Sequence, residues 1–381
     1  MKKVFAVVLA VLMAASVFSG CQSAGGGDKA VIKVGTSGPL TGDYAVYGVA
    51  VANGLELAFE EINALGGLQF ESQAQDDEAD GEKAVNAYNK LMDWGMQIMA
   101  GPTTSGSALA AAAECVNDKV FMISPSASDA AVIATGSNIF QICFTDPNQG
   151  IGSADYIKNH NLATKVGVIY DSSNPYSAGI YAKFIEQADK LGLSVVAKEA
   201  FTEDNKADLS TQVTKCQEAG CDLIFLPIYT AEAAQILTYA NKIGYAPKFF
   251  GCDGLDGILS VEGFDVKLAE GVMLLTPFDA TASDAKTAAF VKNYTEKYGV
   301  TPNQFAADAY DVGYAIYEAC KAGNVTADMS PEEICSIMVA QFTSMTFDGL
   351  TGADMTWGTD GAVSKAPKAV VIQNGVYIGM D

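Results

Sequence analysis

Arginine is absent from this 381-residue chain; all 23 basic residues are lysines. A site that clamps a carboxylate or phosphate with a bidentate guanidinium is therefore excluded. Any anion must be held by lysine, hydroxyls or backbone N–H groups. Histidine occurs once, at His160, and no Cys-x-x-Cys occurs, so a zinc site of the usual His/Cys kind has little support. No Gly-x-Ser-x-Gly elbow is present. Acidic pairs such as Asp76-Asp77 and Glu60-Glu61 read as solvated charge, and His160 reads as a loop residue. A secreted hydrolase is thus a weak alternative; no catalytic residue, metal or cofactor is assigned. Positive charge is scarce overall, with a formal net charge of −22. Such a surface repels nucleic acid and anionic headgroups.

Long hydrophobic runs are confined to the N-terminus. Lys2 and Lys3 precede an apolar run over residues 4–18, followed by Ser19, Gly20 and Cys21. The run is about 15 residues, short of the roughly 20 that a spanning helix needs. The pattern predicts a secretory signal over 1–20. Cleavage would leave the Cys21 thiol at the new N-terminus, ready for lipid attachment, although Phe18 stands where lipoprotein signals usually carry Leu. Residues 21–29 are small, polar and flexible, as a tether should be. The expected location is the outer face of a bacterial cell membrane. The mature chain would have 361 residues and a charge of −24. Seven cysteines follow Cys21, and an odd number cannot all pair internally. Cys216/Cys221 and Cys320/Cys335 are the nearest pairs in sequence; buried free thiols are the simpler expectation.

The remaining length points to two domains. A strand at 31–36 is followed by an amphipathic helix over 49–64, stopped by Gly66-Gly67. Strand, helix and strand follow at 68–75, 82–94 and 97–100. A helix after GPTTSGSA and a strand at 120–124 complete the first half. The alternation restarts at 165–170 and continues through strands at 194–200, 222–228 and 248–251, with helices at 178–191, 209–219 and 231–243. A strand at 272–276 precedes helices at 285–298, 304–322 and one capped by Ser330 with Pro331 in its first turn. The end reads as a hairpin, 369–373 and 376–379, about Asn374-Gly375. The pattern predicts an α/β fold of two doubly wound, mostly parallel sheets.

Ligands of such sheets bind beyond the carboxyl ends of the strands. In the first half those ends carry 37–47, 103–107 and 124–128, rich in hydroxyls. Residues 103–107 open an alanine-rich helix whose first N–H groups lack partners and attract an anion. Plain N-capping is the competing role for these residues. In the second half the same positions give 171–176, Tyr229-Thr230 and Asp253. A turn aspartate is the ordinary role of Asp253; the functional role is partner to a ligand ammonium, since a buried charge needs pairing.

Together, GPLTGDYAVYG, NGLELAFEEINALGG, DDEAD, GPTTSGSA, MISPSAS, FTDPNQG and FFGCDG resemble the type I periplasmic binding proteins, specifically the branched-chain amino-acid-binding proteins of ABC importers. The resemblance spans about 31–380. It implies two lobes joined by a three-strand hinge, with the ligand in the cleft. The expected lobes are 30–146 plus 276–350, and 147–275 plus 351–381. It places the carboxylate-binding serine at Ser105. The family's alanine and threonine after the fourth strand fall on Ser126 and Ser128. The first-loop aromatic is Tyr47, and the second-lobe tyrosines are Tyr176 and Tyr229. The ammonium-binding acid, usually glutamate, is Asp253. The implied protein is a monomeric receptor that delivers an apolar amino acid to an ABC transporter permease. The alternative within the fold is a receptor for an amide or aromatic acid.

Overall fold

The computed structural model describes residues 30–380, so the signal segment predicted over 1–20 and Cys21 lie outside the described residues. The chain first winds β1 (Ile32–Gly38), α1 (Ala45–Ala64), β2 (Phe70–Asp76), α2 (Gly81–Trp94), β3 (Ile98–Met99), α3 (Ser105–Asn117), β4 (Phe121–Ser124), α4 (Ala130–Ile133) and β5 (Ile139–Gln141). These five strands form one parallel sheet, ordered β2-β1-β3-β4-β5. The core strands are apolar throughout because helices cover both faces; Phe121, Met122 and Ile123 of β4 are fully buried.

A second sheet is built from α5 (Asp146–Asn159), β6 (Val166–Asp171), α6 (Pro175–Leu191), β7 (Val195–Phe201), α7 (Ser210–Glu218), β8 (Leu223–Leu226), α8 (Thr230–Lys242), β9 (Lys248–Gly251) and β10 (Met273–Thr276). The chain then returns to the first sheet as α9 (Ala285–Tyr298), α10 (Gln304–Ala322) and α11 (Pro331–Phe342). It closes with the hairpin β11 (Lys368–Gln373) and β12 (Val376–Gly379), which extends the second sheet antiparallel to β10. Asn374 and Gly375 both have positive φ, as a two-residue hairpin turn requires. The backbone thus passes between the sheets three times.

Small residues set how closely the layers approach. A Cβ on Gly54 of α1 would lie 2.2 Å from the Ala306 carbonyl oxygen of α10, so only glycine permits that crossing. Gly150 does the same for α5, whose Cβ would meet the Ile180 carbonyl of α6 at 2.5 Å. The sequence pattern misses α5 for that reason: its glycines lower helix propensity while serving packing. It also misses β5, which is only three residues long.

One lobe boundary differs from expectation. Residues 351–365, expected in the second lobe, pack on the first. Trp357 donates its indole N–H to the Gln141 carbonyl at 2.9 Å and packs on Phe342. Met355 pairs with Phe347 in an isolated bridge. Lys365 donates to the buried Asp308 at 2.7 Å and to Thr351 at 2.5 Å. Burial of these apolar side chains and of this ion pair holds the segment on the first sheet. The third crossing therefore falls between Lys365 and β11. Cys115, Cys143, Cys216, Cys221, Cys252, Cys320 and Cys335 are buried free thiols.

Candidate ligand-binding site between the lobes

The carboxyl ends of β3, β4 and β9 converge on a small, tightly closed cavity. Its first-lobe wall is Tyr47, Thr103, Thr104, Ser105, Ser126 and Phe305; its second-lobe wall is Tyr176, Tyr229, Asp253 and Gly254. Six of the seven sequence-predicted ligand residues therefore meet here. The seventh, Ser128, is buried but lies outside this lining. It follows the β4 loop towards α5, where its carbonyl accepts from the Asp146 N–H at 2.9 Å.

Hydrogen bonds fix the second-lobe wall. The Tyr176 hydroxyl donates to Asp253 Oδ1 at 2.7 Å and accepts from the Gly254 N–H at 2.9 Å. The Asp253 N–H donates to Gln149 Oε1 at 3.1 Å. Tyr176 stacks on Tyr229 with ring centroids 5.0 Å apart. Tyr47 reaches across from α1: its hydroxyl donates to the Gly254 carbonyl at 2.6 Å and accepts from the Thr230 N–H at 2.7 Å. Tyr47 therefore joins the lobes as well as lining the cavity.

The first-lobe wall is made of hydroxyls at the start of α3 and the end of β4. Ser126 donates to the Thr103 carbonyl at 2.6 Å, and Thr103 donates to the Ser37 carbonyl at 3.2 Å. Ser105 Oγ accepts from the Asp129 N–H at 3.3 Å, which leaves its proton free. Ser105 is the first residue of α3, and Thr104 is its N-cap, yet the Thr104 side chain makes no cap hydrogen bond. The N-terminal N–H groups of α3 thus have no side-chain cap from Thr104, a setting that favours an anion.

The electrostatics of the two walls differ in kind. Asp253 is 4 % exposed, and burial pushes its carboxyl up to about 7. Among the described residues lining the cavity there is no lysine. The carboxylate therefore lacks a cation, and a ligand ammonium would supply one. Burial also pushes the Tyr176 hydroxyl up, with Asp253 adding to the effect.

A second contact joins the lobes beside the cavity. Tyr44, before α1, donates to Glu232 Oε1 of α8 at 2.5 Å. Lys206 donates to the Tyr44 hydroxyl at 2.8 Å and lies 4.8 Å from its ring centroid. Sequence reading placed Tyr44 only within the strand-end segment 37–47, and it missed Glu232 and Phe305. Phe305 comes from α10, a helix that only the fold brings back to the first lobe. His160 sits at the C-terminal end of α5, exposed and stacked on Tyr156 at 4.0 Å, away from the cavity lining.

A family model described as periplasmic binding protein matches residues 31–375. The chain belongs to that family. It is 30% identical over 302 residues to a Leu/Ile/Val-binding protein homolog of Brucella melitensis, covering 77% of this chain and 78% of the relative. Two solved structures superpose on it with TM-scores of 0.82. One is the leucine binding protein of Thermotoga maritima, at 25% identity, covering 92% of this chain and 98% of that one. The other is the branched-chain amino acid transporter substrate binding protein of Streptococcus pneumoniae, solved with isoleucine, at 28% identity, covering 91% and 97%. As a periplasmic binding protein, the chain has the two-lobed α/β architecture that its sequence predicted.

Proposed function

We propose that this protein captures a zwitterionic α-amino acid between its lobes. One observation carries the reading: a buried, cation-free Asp253 faces the uncapped start of α3 across a small cavity between the lobes. The ligand ammonium binds Asp253. The carboxylate binds the Ser105 hydroxyl and the N–H groups opening α3. Neither end needs arginine. Aspartate is one methylene shorter than the glutamate expected from the family, which draws the ammonium closer to β9. The solved relative holding isoleucine supports a side chain no larger than isoleucine's among Tyr47, Tyr229 and Phe305.

The captured amino acid is delivered to an ABC transporter permease, with the receptor tethered to the membrane through lipidated Cys21. Four aromatic rings in the lining favour a second reading, an aromatic acid. Against that reading, such a ligand leaves Asp253 without a cation.

Thermal-shift screening against the amino acids and benzoate tests the function. A ligand at a hundredfold excess over Kd stabilises by about 2.7 kcal/mol. The expected result is a shift with small amino acids and none with benzoate; the reverse pattern rejects the proposal. Mass spectrometry of the mature N-terminus tests the anchor, and an unmodified Cys21 rejects it.

A further inference from the structure

We infer that the ligand's side chain is short and carries a hydroxyl, received by Thr104; this rests on the amino-acid reading above. Each other hydroxyl on a buried residue of the lining already has a protein partner, Tyr229 being only partly covered. Tyr47 is held by Gly254 and Thr230, Tyr176 by Asp253 and Gly254. Ser126 and Thr103 donate to backbone carbonyls, and Ser105 accepts from Asp129.

Thr104 is the exception. Its Oγ1 is buried and has no hydrogen-bond partner, and the residue is 5 % exposed. The usual local role of threonine at an N-cap is to accept from the N–H two or three residues on. That role is unfilled here. The missing cap bond and the missing partner are one fact: a buried residue of the lining carries a hydroxyl that nothing in the protein satisfies. A buried hydroxyl without a partner is costly, and a ligand that satisfies it is favoured over an isostere that cannot.

Sites built to bind a ligand hydroxyl reject the analogue lacking it far more strongly than apolar pockets reject an added hydroxyl. The small cavity adds a size limit, because the rings of Tyr47, Tyr229 and Phe305 pack against one another in its lining. Threonine and valine share one shape and differ by a hydroxyl in place of a methyl, so they are the deciding pair.

The experiment is calorimetric titration of the full mature protein with L-threonine and L-valine, repeated on Thr104→Val and Thr104→Ser. Wild type should bind threonine at least tenfold more tightly than valine. Thr104→Val should abolish that preference by weakening threonine while retaining valine. Thr104→Ser, which keeps the hydroxyl, should preserve the preference and controls for folding. Equal or tighter valine binding by wild type overturns the inference. So does an equal loss for both ligands in Thr104→Val, which would assign the hydroxyl to the ligand carboxylate instead. If neither ligand binds wild type but another amino acid does, the inference fails and the amino-acid reading stands. If no amino acid binds, both fail.

Discussion

The two walls of the cleft hold charge in different ways. The first-lobe wall offers fixed dipoles: the Ser105 hydroxyl and the opening N–H groups of α3. Their strength does not depend on pH. The second-lobe wall offers one ionisable group, Asp253, which burial holds near neutrality. A zwitterion satisfies both walls at once, and each half-ligand satisfies only one. On the proposed reading, the difference between the walls would be the basis of selectivity for a molecule with both charges, and it can be broken from either side.

Breaking the charged wall should have the largest effect. Asp253→Asn removes the ammonium's counter-charge while keeping the shape and the Tyr176 hydrogen bond. Affinity for the best amino acid is expected to fall at least a hundredfold by calorimetry, in line with about 1.5–3 kcal/mol for a hydrogen bond to a charged group plus the lost ion pairing. Retained affinity would remove Asp253 from the site.

The charged wall alone should titrate. In the unliganded protein Asp253 is protonated below about 7, and a carboxylate is the form that binds an ammonium. Affinity is thus expected to rise with pH, by up to tenfold per unit below about 7, and to level off above it. Stability has the opposite sign. The unfolded chain releases this proton near pH 4 and the folded chain only near 7, so the unliganded protein loses stability as pH rises through that window. Asp253→Asn should abolish both trends at this residue. A Tm difference between wild type and variant that is constant from pH 4 to 7 would contradict the buried, proton-holding carboxyl.

Weakening the dipole wall should cost less. Ser105→Ala removes one neutral donor and leaves the start of α3 intact. A loss of about five- to fifteenfold is expected, corresponding to about 1–1.5 kcal/mol, with the pH profile unchanged. A changed pH profile would show that the walls are not separable.

The smallest effect should come from the contact between the walls. Tyr44→Phe removes the hydrogen bond from the first lobe to Glu232 without touching the ligand. Affinity should fall only about two- to fivefold, through fewer closed molecules, and small-angle scattering of the unliganded variant should show a more open form. An unchanged scattering profile with reduced affinity would place Tyr44 in the ligand's path instead.

Much of this site was legible in the sequence because strand ends are legible. GPTTSGSA, MISPSAS and FFGCDG each follow an apolar strand, so their loops fall on one edge of a sheet, and the resemblance then assigned Ser105, Ser126 and Asp253 among them. Ser128 did not line the cavity because the β4 loop turns towards α5 within two residues. Phe305 was not legible because its place depends on the chain's return to the first sheet. The segment 351–365 was misassigned for a related reason: its anchor is Lys365 with Asp308, a pairing 57 residues apart that no local pattern marks. The hydroxyl of Thr104 looked like a helix cap, and only the structure shows that it caps nothing.

Enclosure has a consequence for timing. Apart from the partly covered Tyr229, the cavity's non-glycine lining is buried and drawn from both lobes, with Tyr47 bonded across the gap. On the proposed reading, a ligand held there would leave only after the Tyr47 and Tyr44 bridges part. Residence time would then be a property of the three backbone crossings, and a permease that pulled the lobes apart would set the clock of release whatever the affinity of the closed form.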